Sequence, residues 1–315
     1  MRAIFLSAGI GLLLVACGSG GKDEKPVVVS LLGKSYYEPE RPKHVQARLD
    51  TNLLIAQRNW ESNPNEENYI WYGRRLGYLS RFQEAVYVFT LGIGKFPASA
   101  KLYRHRGHRY ISLRRFDEAI HDLKKADSLV QGFILEVEPD GVPNKINTPL
   151  STTQFNIYYQ LALAYYLKGD FAKAEEAYNT CLKTCNNDDL TVAVVDWLYM
   201  TYRRQGKTDL AKTLLESVRD SMTIVENDSY YKRCLMYQGK LPPNELLTES
   251  MADLDQAELA MATQGYGVGN WFLYNGDTTQ AESVFRQVVS GKYFGAFGFI
   301  AAEAELARWS TLKKK

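Results

Sequence analysis

One short pattern recurs along this chain, and the recurrence constrains its fold more than any other feature. Tyr78-Leu79-Ser80-Arg81-Phe82-Gln83-Glu84-Ala85 is followed, with its Ala 34 residues later, by Ser112-Leu113-Arg114-Arg115-Phe116-Asp117-Glu118-Ala119. Leu167-Lys168-Gly169-Asp170-Phe171-Ala172-Lys173-Ala174 is a third copy, and weaker ones sit at 205–211 and 275–281. A unit of this length cannot bury its apolar face alone, so successive units must stack into a solenoid with one continuous core. Length alone suggests two domains for 315 residues, and the repeat collapses these into one superhelix. The 45% hydrophobic and 23% charged residues are globular proportions. A net charge of +2 argues against a dedicated nucleic-acid binder.

The period and the residue types resemble the tetratricopeptide repeat (TPR). In 66–99, Tyr69, Tyr72, Gly73 and Leu76 take first-helix positions, and Ala85, Phe89 and Gly92 take second-helix positions, with Pro97 after them. The matching small and large pairs are Gly107 with Ala119 and Leu123, Ala162 with Ala174 and Tyr178, and Gly269 with Ala281 and Phe285. Small residues let helices approach closely, and the large ones fill the space between. The resemblance implies an all-α, right-handed TPR-like solenoid of helix hairpins. Units 1 and 2 with a capping helix fall at 41–133, and units 3 to 6 at 155–295. A basic tail follows a second capping helix at 296–315. A degenerate fifth unit is expected at 226–261, with its second helix over 244–261. Ser80, Ser151 and Asp277, each followed three residues later by Gln, are expected helix starts.

Residues 1–16 read as a signal peptide: Arg2, then an apolar run, then Val15-Ala16 before Cys17. That ending resembles a bacterial lipobox, which implies cleavage before Cys17 and a lipid on it. Residue 18 is Gly and not Asp, so the resemblance places the anchor in the outer membrane, periplasm-facing or surface-exposed. Residues 17–40 are then expected to be a flexible tether.

An insertion of about 21 residues separates the second and third units, at 134–154. Pro139, Pro143, Pro149 and Asp140-Gly141 make it turn-rich. Two roles fit it: a staple between units, or a ligand loop in which Asp140, Asn144 and Asn147 face the groove. Glu136, Glu138 and Asp140 could offer oxygens to a cation, but not in calcium-loop spacing.

In the family the first helices line a concave groove. Carrying those positions over gives Arg74, Lys101, Arg104, His108, Asn156, Tyr159, Tyr166, Asp196 and Arg203 as candidate ligand contacts. Tyr78, Ser112, Met200, Tyr266 and Asn270 take equivalent positions. Residues 66–133 hold 12 basic and 7 acidic side chains, so an extended acidic peptide suits this region. Tyrosines at 159 and 166 also suit a sugar chain.

The chain carries no phosphate loop, no nucleophile elbow and no His-Glu-x-x-His motif. His105, His108 and His121 lack a supporting Cys, so neither metal nor cofactor is expected. Cys181 and Cys185 are one helical turn apart, which leaves either buried packing or a disulfide open. The expected function is a non-enzymatic, membrane-anchored scaffold that joins envelope proteins. A lipoprotein that captures a peptide or glycan in its groove is the alternative.

Overall fold

The computed structural model describes residues 25–247 and 254–312. Among these, a hairpin of β1 (Val28–Val29) and β2 (Ser35–Tyr36) precedes α1 (Lys43–Ser62). Helix hairpins follow: α2 (Glu66–Tyr78) with α3 (Phe82–Lys95), then α4 (Ala100–Ser112) with α5 (Phe116–Val130). Next come α6 (Thr153–Lys168) with α7 (Phe171–Leu182), and α8 (Asp188–Arg204) with α9 (Thr208–Leu215). Then come α10 (Asp228–Tyr237), the short α11 (Pro243–Leu247), α12 (Leu254–Tyr274) with α13 (Thr278–Ser290), and α14 (Phe297–Leu312). The fold is the all-α solenoid of stacked hairpins that the repeat predicts.

Its packing follows the small-to-large pairing read from the sequence. A Cβ on Gly73 would stand 2.4 Å from the Phe89 ring, and one on Gly269 would stand 2.6 Å from Phe285. The repeated Ala85, Ala119, Ala174, Ala211 and Ala281 are fully buried. Each hairpin also turns on one left-handed residue: Ser80, Arg114, Gly169, Gly206, Gly239 and Gly276. Four units use glycine, which enters this region without steric cost, while Ser80 and Arg114 enter it at φ of 63° and 62°.

Four expectations need correction. Residues 27–36 belong to no flexible tether: the Val28 and Tyr36 side chains are buried, and Tyr36 stacks on Phe294 at 4.9 Å. Three consecutive valines and an aromatic carry enough apolar surface to dock, and Gly33 at φ 79° closes their turn. The second helix expected over 244–261 lies partly outside the described residues: α11 covers Pro243–Leu247, and from Leu254 a single helix runs past the expected end at 261 to Tyr274. Thr152, not Ser151, caps α6, and Ser80 caps nothing, whereas Asp277 does accept from the Gln280 N–H at 3.0 Å. The fourth correction decides the site. α14 packs on α12 and α13 and also reaches α6, so it lies against the face made by the first helices rather than only closing the end. Two carboxylates anchor it there. Glu303 takes two bonds from Arg114, at 2.8 and 3.1 Å, and one from the Leu31 N–H. Glu305 takes bonds from Arg204 and Arg308.

Candidate functional site

The insertion is folded, not a spacer. Its two ends pair antiparallel, with the Glu138 N–H donating to Ser151 O at 2.9 Å and Thr153 N–H to Glu136 O at 2.8 Å. Gln154 holds both strands' start, accepting from the Glu136 N–H and donating to Ile134 O. The strand so made lies over α2 and α4. Arg74 donates to Pro139 O at 2.9 Å and Arg75 to Gly141 O at 3.2 Å. Gly141 is packed close beneath the Tyr78 ring: a Cβ there would fall 1.5 Å from its hydroxyl, so any other residue would have to displace Tyr78. Glu138 enters deepest. It meets Arg104 at 3.1 Å and His105 at 3.6 Å, and accepts from Asn156 at 3.1 Å.

Beneath the strand is a small cavity of about 120 Å³ lined by Arg74, Tyr78, Phe89, Arg104, His105, His108, Arg109 and Glu138. Three guanidinium groups face one carboxylate in it. Burial pulls the Arg109 guanidinium down to about 10, with Arg104 and Arg74 adding repulsion. Burial also holds both imidazoles well below the ordinary histidine value, and the neighbouring arginines push them further. Neutral His105 can therefore accept a hydrogen bond at Nδ1 from Arg104, 2.7 Å away.

Five of the residues expected in a groove do gather around the insertion: Arg74, Lys101, Arg104, His108 and Asn156. Lys101 pairs with Glu136 on its outer side. What they hold is a segment of their own chain. The others do not join them. Tyr166 is fully buried, with its hydroxyl accepting from Tyr266 at 2.7 Å and from Asn270 at 2.9 Å. Tyr159 is buried against Phe155 and bonded to Tyr230. Asp196 is fully buried in a two-bond pair with Arg233, at 2.8 and 2.9 Å, and takes a third bond from Tyr237. These three are interior contacts because α10, α12 and α14 cover the positions that an open groove would expose. Arg203 is half-exposed over the Tyr274 ring, remote from the insertion, and bonds to Asn275.

Within the insertion, Asn144 orders the turn: its carbonyl oxygen accepts from the Ile146 and Thr148 N–H groups, and its amide bridges to Glu226. Asn147 takes a left-handed φ of 51° in the same turn, and Asp140 accepts from Asn144 at 3.4 Å. These are turn-making roles. Glu136, Glu138 and Asp140 do not converge as cation ligands, since the first two face Lys101 and Arg104. Among the described residues, no group of three His, Cys, Asp or Glu could hold a metal. Cys181 and Cys185 are both free thiols, and burial pushes the latter up to about 12. Cys17 lies outside the described residues.

One outward-facing feature lies outside the repeat pattern. Phe133, Ile134 and Val137 are 72%, 89% and 57% exposed, at the edge of a cleft of about 1020 Å³. Phe96, Pro97, Leu129, Val130 and Leu135 form its apolar floor, and Lys95, Lys101, Glu66 and Glu136 stand around it. The signal was present: Phe133-Ile134-Leu135 is an apolar run directly after a helix, outside any repeat position. The prolines beside it signal only turns.

Comparison with known proteins recognises one of these units. Residues 155–188 match the tetratricopeptide repeat family. No curated relative matches the chain. Among solved structures, it is similar to YrrB, a TPR protein described as having an unusual peptide-binding site. The identity is 13%, coverage is 80% of this chain and 97% of that one, and the TM-score is 0.42. A tetratricopeptide repeat protein from Parabacteroides merdae is 15% identical over 84% of this chain and 94% of its own, with a TM-score of 0.45. The C-terminal part of a TPR protein from Cytophaga hutchinsonii is 13% identical over 81% and 83%, with a TM-score of 0.39.

Proposed function

We propose that this protein is a docking scaffold held at a bacterial envelope membrane by a lipid on Cys17. It presents the Phe133–Val137 cleft to a partner protein. The observation that carries this reading is the contiguous exposed apolar surface of Phe133, Ile134 and Val137 beside a cleft of peptide-accommodating size. Surface of this kind, rimmed by charge, marks protein contacts in soluble domains. The occupant is an apolar segment of a partner protein. Its flanks carry both signs of charge, because Lys95 and Lys101 on the rim are balanced by Glu66 and Glu136. The inner face is a weaker candidate because α14 and the insertion already fill it.

The test begins with a photo-crosslinking residue at position 134 of the full chain in its own membranes. The segment it captures is then synthesised and titrated against purified protein. Wild type should bind it, Ile134→Asp should bind at least about tenfold more weakly, and Arg203→Ala should match wild type. Equal binding by Ile134→Asp overturns the docking surface. Palmitate labelling that survives Cys17→Ser overturns the anchor.

A further inference from the structure

The cavity under the insertion has a charge imbalance that the docking reading does not use. Arg74, Arg104 and Arg109 contribute three cations from α2 and α4, and His105 and His108 add N–H donors. Glu138 is the one carboxylate among the lining residues, and it is engaged by Arg104 and Asn156. Arg104 is 7% exposed, yet its Nε has no hydrogen-bond partner. The Arg109 side chain makes no hydrogen bond among the described residues. It lies over the Phe82 ring at 5.5 Å, and its guanidinium sits against Gly77, where a Cβ would come within 2.6 Å of Nη1. Arg104 is buried and Arg74 and Arg109 are half-buried around it, so an excess of cations here is costly, and guanidinium forks match the oxygens of a phosphate-type anion. The volume, about 120 Å³, admits several waters or one small oxyanion, and no larger metabolite.

We propose that this cavity binds one small tetrahedral oxyanion of the phosphate or sulfate class. Arg109 and the free Nε of Arg104 bind it from α4, Arg74 binds it from α2, and Glu138 closes the side nearest the insertion. The bound anion neutralises the surplus charge and locks the strand at 136–141 onto the first two units. The site is independent of the outer cleft.

Inorganic phosphate and sulfate are the probes, titrated calorimetrically and by thermal melting at constant ionic strength with sodium chloride as the balance. Wild type should show one saturable site and a rise in Tm of about 3–5 °C at saturation. Arg109→Gln should bind at least about tenfold more weakly. Should that variant fail to fold, Arg74→Gln reads the same loss. Glu138→Gln removes the competing carboxylate and should tighten binding several-fold. A preference between the two anions tells a protonated phosphate site from a generic one, and either preference supports the proposal. No saturable binding by wild type overturns it. So does equal stabilisation by chloride, undiminished binding in the arginine variants, or weaker binding by Glu138→Gln.

Discussion

Arg104 and Glu138 meet at 3.1 Å with both side chains more than nine-tenths buried, one on a repeat helix and the other on the insertion. Exposed pairs contribute little, but a buried charge stripped of its partner is expensive. Glu138→Gln should therefore cost about 3 kcal/mol in urea unfolding at low phosphate. The loss should appear as a separate early transition of the first two units if the insertion staples them to the third. A single transition of unchanged midpoint would mean that the strand hangs on its backbone bonds alone.

The two histidines beside this pair set a pH dependence. His105 faces Arg104, Arg74, Arg109 and His108, with Glu138 as the opposing charge. His108 faces Arg109, Arg104 and Arg74, and packs on Phe297 of α14. Both stay neutral in the fold to a pH well below the ordinary value of about 6.5. The unfolded chain binds their protons first, so stability is full above about pH 6.5 and falls as pH drops below it. Chemical denaturation between pH 7.5 and 5 should show this decline. A His105→Gln, His108→Gln double variant should flatten it. An identical slope in the double variant would assign the decline to other groups.

The hairpin turns offer a backbone-only test. Gly206 has φ of 73° with open space around a would-be Cβ, so Gly206→Ala meets only the left-handed penalty. It should cost about 1–2 kcal/mol. At Ser80, already in that region, Ser80→Gly relieves the same strain but loses the bond from Arg41 to its hydroxyl. The balance should be within about 1 kcal/mol of zero. Equal costs for the two substitutions would show that turn geometry is not what limits these units.

Much of this architecture could be read from the residues because repeat packing is local. Gly73 and Phe89, or Gly269 and Phe285, sit within one hairpin, so spacing alone places them against each other. Asp196 and Tyr166 depart from the local pattern for the opposite reason. Their helical positions do point to the inner face, but Arg233, Tyr266 and Asn270, distant in sequence, cover them there. Polar side chains at such positions look like a wet groove until the covering element is known. The Glu303-Ala304-Glu305 run in α14 held a clue, since two carboxylates among alanines imply buried arginines opposite them. The same limit explains the insertion. Its prolines announced turns, while its docking on Arg74 and Arg104 depends on contacts that no local pattern encodes.

α14 gives the most direct test of the filled inner face. Phe299 is fully buried and meets the Tyr36 ring edge-on at 5.7 Å, while Phe297 sits 5.3 Å from His108. If the helix were an end cap, truncating one of its aromatics would disturb only α12 and α13, its nearest neighbours. In the observed packing it joins β2, α4, α6 and α8 as well, through Tyr36, His108, Leu167 and Arg204. Phe299→Ala should cost about 3–5 kcal/mol, the range for a large buried aromatic. Its effect should also reach the N-terminal hairpin, seen as faster amide exchange at Val27 and Ser30, whose N–H groups bond within that hairpin. A loss confined to α12–α14, with residues 27–36 still protected, would return α14 to the role of a simple cap.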